Sequence, residues 1–106
     1  MLVSDGFHFV TTLDEVPQGT NKAFMVEGQD VLICHTKTGE VYAVINLCSH
    51  ALQKMEGGRM RGYKIMCPLH GASFDMRTGA VTGAPAYEPI KVFPVKVEDG
   101  RVYVQV

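Results

Sequence analysis

The sequence predicts an all-β fold, an antiparallel β-sandwich or barrel, and three observations carry that expectation. Apolar residues recur with a period of two and almost nowhere with the 3.6-residue period of a helix. The apolar runs are short and are separated by Gly-containing turn segments. Residues 46–90 lack long runs and concentrate Gly57-Gly58, Gly62, Gly71, Gly79, Gly83, Pro68, Pro85 and Pro89, a loop-rich stretch that needs a source of order other than a strand ladder.

In chain order, Phe7-His8-Phe9-Val10 opens the strand pattern. Ala23–Val26 and Val31–Cys34 are two apolar runs with Glu27-Gly28-Gln29-Asp30 as the turn between them. Val41–Ile45 follows Lys37-Thr38-Gly39-Glu40, where Gly39 can take the positive φ of a tight hairpin. Tyr63–Met66 is a brief run inside the loop-rich stretch. Phe93, Val95 and Val97 then alternate with Pro94, Lys96 and Glu98, Asp99-Gly100 turns the chain, and Val102, Val104 and Val106 resume the apolar face. Pro94 has no N–H for a ladder and places its strand at an edge or bulge.

The 106 residues, 46% of them hydrophobic, suit one compact domain spanning 1–106. Without Trp, its core must come from Val, Ile, Phe and Met. Ten Lys+Arg against eleven Asp+Glu leave a net charge of -1, so no overall basic field exists to hold nucleic acid or an anionic membrane. The charge is local instead. Residues 1–50 carry six acids and two bases, whereas 51–83 carry five bases and two acids. Lys54, Arg59, Arg61 and Lys64, offset by Glu56, form a basic group able to steer an acidic partner. Met1–Asp5 has no basic, apolar leader pattern, and no apolar run approaches the ~18 residues of a membrane span. Three cysteines, an odd number, favour free thiols or metal ligands over a disulfide scaffold, which fits a reducing cytoplasm.

The chemistry lies in two loops. Cys48-Ser49-His50 is followed, after residues 51–66, by Cys67-Pro68-Leu69-His70. Thiolate and imidazole are ligands for zinc and iron, and two such loops can converge on one centre. Zinc modules usually pair Cys with Cys and His with His, whereas each loop here supplies one of each. Cys34 closes an apolar run and reads as a small core residue. His8 and His35 sit in strand patterns and read as structural or surface residues.

The order C-x-H, a gap of sixteen, then C-P-x-H-G resembles the Rieske-type iron–sulfur proteins. His70-Gly71-Ala72-Ser73-Phe74-Asp75 with Thr78-Gly79 is similar to the family's second cluster loop and the strand after it, and Gly83-Ala84-Pro85-Ala86 to its covering proline loop. The resemblance implies a Rieske iron–sulfur domain fold with a cluster-binding subdomain (about 46–83) inserted in a base (about 1–45 and 84–106). It implies one [2Fe–2S] cluster held by Cys48, His50, Cys67 and His70, with both His on one iron. Small, single-domain members of this kind resemble the ferredoxins of bacterial aromatic-ring dioxygenase systems. The implied role is a monomeric, cytoplasmic one-electron carrier between a flavin-containing, NAD(P)H-dependent ferredoxin reductase and a terminal oxygenase. It would not itself be an enzyme, since only His8 and His35 remain for a second metal site. The alternatives are a Rieske-type small subunit of a nitrite-reductase-like enzyme and a zinc-binding interaction module.

Respiratory Rieske proteins tie their cluster loops with a disulfide; the matching positions here are Gln53 and Leu69. They also donate Ser and Tyr hydroxyls to cluster sulfurs where this chain has Ala72 and Phe74. Ser73 is one position out of register and should point the other way in an extended segment. Two fewer donors imply a low potential. Ala51, Leu52, Leu69 and Pro85 would surround the His-bearing iron as a small apolar contact patch, and the ligand imidazoles would make the potential fall with alkaline pH.

Overall fold

The computed structural model describes residues 6–49, 53–69, 71–86 and 88–106. Among these residues, eleven strands and one 3-10 turn (Leu13–Glu15) make up the regular structure. The strands are β1 (Phe7–Thr12), β2 (Thr20–Val26), β3 (Gln29–His35), β4 (Val41–Ile45), β5 (Met60–Arg61), β6 (Lys64–Met66), β7 (Ser73–Asp75), β8 (Val81–Gly83), β9 (Val92–Phe93), β10 (Val95–Glu98) and β11 (Arg101–Gln105). They form three antiparallel sheets ordered β1-β11-β10, β2-β3-β4-β9 and β5-β6-β7-β8. Among the described residues no helix is long and apolar enough to cross a membrane.

The hairpins follow local chemistry. Val26 pairs with Gln29, so Glu27-Gly28 alone is the turn, with φ of 49° and 80°. Gln29 and Asp30, expected in that turn, extend β3 instead, because two residues with positive φ already match the right-handed strand twist. Asp99-Gly100 repeats the device with φ of 52° and 74°, and Gly39 takes φ 97° in the β3–β4 turn. The alternation through Phe93, Val95 and Val97 is not one strand. Pro94 breaks it into β9, paired with β4, and β10, paired with β11. Lacking an N–H, Pro94 offers only its carbonyl, which accepts from the Gln105 N–H at 3.0 Å. The chain changes sheets there, and β10 becomes an edge strand with Val97 exposed.

The sheet β2-β3-β4-β9 is the middle layer and has a core on each face. Val31, Ile33 and Ala43 pack with Val102, Val104 and Phe93 towards the β1-β11-β10 sheet. Leu32, Cys34 and Val44 pack with Ile65, Phe74, Met55, Cys48 and Cys67 towards the β5-β6-β7-β8 sheet. Alternate residues of a strand point to opposite faces. The uninterrupted run Val31–Cys34 is therefore the signature of a strand with both faces buried, and all four residues have no exposed surface. The two sheets β1-β11-β10 and β2-β3-β4-β9 make the expected sandwich base.

Candidate metal centre

Cys48 and Cys67 lie at the ends of elements on opposite sides of one core. Cys48 follows β4 through Asn46-Leu47, and Cys67 directly follows β6. The two loops close alike: the Cys48 N–H donates to the Gln53 carbonyl at 2.8 Å, and the Cys67 N–H to the Ala72 carbonyl at 2.7 Å. In each case the acceptor stands five residues on. Gly71, with φ 76°, completes the second closure by donating to the Cys67 carbonyl at 3.1 Å. Ser49 Oγ fastens the first loop to the Glu88 carbonyl at 2.6 Å, a tie that no spacing in the sequence announces.

Both cysteines are almost wholly buried, at 2% and 3% exposure, in the same core as Phe74, Met55 and Met76. No disulfide joins Cys34, Cys48 or Cys67. Two thiols brought into one apolar core by two matching loops fit a thiolate-bound metal group, since thiolate is a soft ligand and a water-poor surround protects the bond. His50, His70, Ala51 and Leu52 fall outside the described residues. Of the expected contact patch, Leu69 is 58% exposed and Pro85 is half-buried.

Cys34 shares that core, and burial pushes its thiol up to about 12. It is a packed, protonated side chain at neutral pH. His35 is structural: its ring Nδ1–H donates to the Val16 carbonyl at 2.7 Å. His8 is half-buried within β1. Ala72 and Phe74 are fully buried and bring no hydroxyl to the cysteine face. The Ser73 hydroxyl is turned to β8, where it accepts from Thr82 Oγ1 at 2.8 Å.

The basic group is smaller than its sequence suggests. Lys54 Nζ sits 2.5 Å from Asp30 Oδ2, so its charge is compensated. Arg59, Arg61 and Lys64 stay exposed. Arg77, the fifth base of residues 51–83, is held by Asp75 through Nε at 3.1 Å and Nη2 at 2.9 Å, with its guanidinium 3.8 Å from the Tyr63 ring centre. The Arg77 hydrogen bond, chiefly, lowers the Asp75 pKa from its ordinary value. A depressed carboxylate contributes stability above its unfolded pKa, roughly 3.9, and loses it as the pH falls through the lower folded value. Urea unfolding from pH 7 to pH 3 should show this acid-side loss in the native chain and less of it in Asp75→Asn; identical profiles would remove Asp75 as its source.

The Rieske [2Fe–2S] domain family matches residues 6–94. The chain belongs to the Rieske [2Fe–2S] family. As a Rieske protein it carries a single [2Fe–2S] cluster, which sets aside the zinc reading of the same loops. The ferredoxin component of a naphthalene 1,2-dioxygenase system from Pseudomonas aeruginosa is 40% identical over 92 residues, 87% of this chain and 88% of the relative. The ferredoxin of carbazole 1,9a-dioxygenase from Nocardioides aromaticivorans IC177 superposes with a TM-score of 0.87 at 36% identity, over 95% of this Rieske chain and 98% of that one. A chain from a complex of reduced oxygenase and oxidized ferredoxin in carbazole 1,9a-dioxygenase superposes with a TM-score of 0.81 at 27% identity, covering 96% and 94%.

Proposed function

We propose that this protein is the electron carrier of an aromatic-ring dioxygenase system, taking electrons singly from a flavin-containing, NAD(P)H-dependent reductase and delivering them to a terminal oxygenase. The observation that carries the reading is the shared burial of Cys48 and Cys67 in one core, within a chain matched nearly end to end by dioxygenase ferredoxins. Cys48 and Cys67 would hold one iron and His50 and His70 the other, with residues about 46–83 acting as the cluster-bearing subdomain. When bound, such a cluster supplies one-electron chemistry.

The chain's own residues set the terms of that chemistry. Phe74, Met55, Met76 and Ile65, all fully or almost fully buried, exclude water from the cysteine side. The backbone closures at Cys48 and Cys67 fix where the thiolates stand. Exposed Leu69 offers a small apolar contact, and a small contact lets a carrier leave after each transfer. Ala72 and Phe74 donate no hydroxyl hydrogen bond, so added negative charge is stabilised less than it would be beside Ser and Tyr. The reduction potential is expected at the low end of the Rieske range, about -150 mV. Direct voltammetry checks this, and a clearly positive potential contradicts it.

The functional test is reconstitution with a reductase and an oxygenase of the relatives' kind. The protein should contain iron and acid-labile sulfide in equal amounts, and product should form only when all three components are present. Turnover without this chain, or its permanent co-elution as a fixed subunit of one enzyme, would overturn the shuttle.

A further inference from the structure

Asn46 stands two residues before Cys48 and is 3% exposed, yet its side chain is engaged on both sides. Its Nδ2 donates to both Asp30 carboxylate oxygens at 3.3 Å, and its Oδ1 accepts the Glu56 N–H at 2.8 Å. Its own N–H donates to the Asp30 carbonyl at 2.8 Å. The segment it grips, residues 54–58, is the leg by which the chain returns from the Cys48 loop. That leg is fastened again to β2, the edge strand of the middle sheet. Asn21 Oδ1 accepts the Gly57 N–H at 2.8 Å, and Asn21 Nδ2 donates to the Gly58 carbonyl at 3.0 Å. The Glu56 carboxylate accepts the Ala23 N–H at 2.8 Å, and Lys54 adds its ion pair to Asp30.

On its other side the leg has no room to shift. A side chain at Gly58 would collide with the Met66 carbonyl, and the Met66 N–H donates to the Arg59 carbonyl at 2.8 Å. Loops of this length are ordinarily among the first parts of a fold to open. Here Asn21 of β2 and Asp30 of β3 meet side chains of the loop itself, Asn46, Lys54 and Glu56, so that one leg is bonded to the sheet at several points.

We propose that Asn46, with Asn21 and Glu56, forms a brace that positions Cys48: it ties both legs of the first cluster loop to β2 and β3 of the middle sheet and so controls how tightly the cluster is held. The proposal rests on the ligand role of Cys48 proposed above. Asn46, Asn21 and Glu56 are positioning residues and reach the site only through the loop backbone.

The cluster-loaded protein tests it, with Asn46→Ala, Glu56→Ala and Glu56→Gln compared well below the unfolding transition. Removing one partner of these bonds, part-buried at Asn46 and exposed between Glu56 and Ala23, leaves the loop freer to open. Asn46→Ala and Glu56→Ala should bleach about tenfold faster under an iron chelator and show broadened EPR lines after reduction. Glu56→Gln, whose amide oxygen still accepts from Ala23, should bleach at the native rate. Native rates and line widths in both alanine variants overturn the brace, as does bleaching that merely tracks unfolding of the whole chain. Should Asn46→Ala not fold, Asn21→Ala at its half-buried site decides by the same readouts. A native protein without iron would instead overturn the ligand reading, whereas loaded variants that all bleach alike overturn the brace and leave that reading standing.

Discussion

Cys67→Ser is expected to abolish the iron–sulfur absorption and to cost the folded chain several kcal/mol. A free serine hydroxyl does not ionise near neutral pH, and its hard oxygen is a much poorer ligand than thiolate for the iron of such a cluster. Cys67 is 3% exposed in a core that also holds Phe74, Met55 and Ile65, so the new hydroxyl would also stand among apolar groups, at about 1–3 kcal/mol if unpaired. A larger loss comes from linkage: a group that binds only the native state adds its binding free energy to folding. Iron and sulfide content, with thermal melts of the native and variant proteins, measure both effects. The apoprotein of the native chain should melt near the variant. Full cluster content with an unshifted absorption spectrum in Cys67→Ser would remove this residue from the ligand set.

Gly79→Ala is expected to destabilise the chain by about 3 kcal/mol or more. Gly79 holds φ 86°, a conformation that costs an L-residue roughly 1–2 kcal/mol. Its N–H donates to the Asp75 carbonyl at 2.7 Å, and its carbonyl accepts the Ile90 N–H at 2.9 Å. A Cβ there would collide with the Ile90 carbonyl oxygen, and that obstacle is backbone, which cannot swing aside as a side chain would. Overpacking of this kind adds about 1–3 kcal/mol. Gly57 is the matched control, with φ 87° and open space around its missing Cβ. Gly57→Ala should carry only the backbone penalty. Equal denaturant midpoints for the two variants would show that the approach of Ile90 is not what demands glycine at 79.

Much of the fold was legible because its signals are local. The glycine turns at Gly28, Gly39 and Gly100 and the alternation of β11 follow from φ preferences and from a period of two. The run Val31–Cys34 signalled a strand but not its two-sided burial, since a continuous apolar run does not say which layers flank it. Pro94 was read as an edge or bulge residue, and its larger effect, sending β9 and β10 into different sheets, depends on partners far away in the chain. The spacing of C-x-H and C-P-x-H singled out Cys48 and Cys67, which the fold buries in one core. The brace was not. Asn21, Asp30, Asn46 and Glu56 are ordinary polar residues at separations that only the folded chain brings together, and Lys54, apparently a steering charge, is neutralised by an aspartate twenty-four positions earlier. Side chains that bond backbone across such distances leave no periodic trace.

The double burial of β3 divides the labour of one strand by parity. Odd positions, Val31 and Ile33, face the core shared with β11, and even positions, Leu32 and Cys34, face the core that holds Cys48 and Cys67. Neighbouring substitutions on a single strand therefore address different halves of the molecule: Ile33 reports on the core shared with β11, and Leu32, next to it, on the core around Cys48 and Cys67. The strand is a wall with two separately furnished sides, so one side can be repacked while the side chains that line the cysteine core stay as they are.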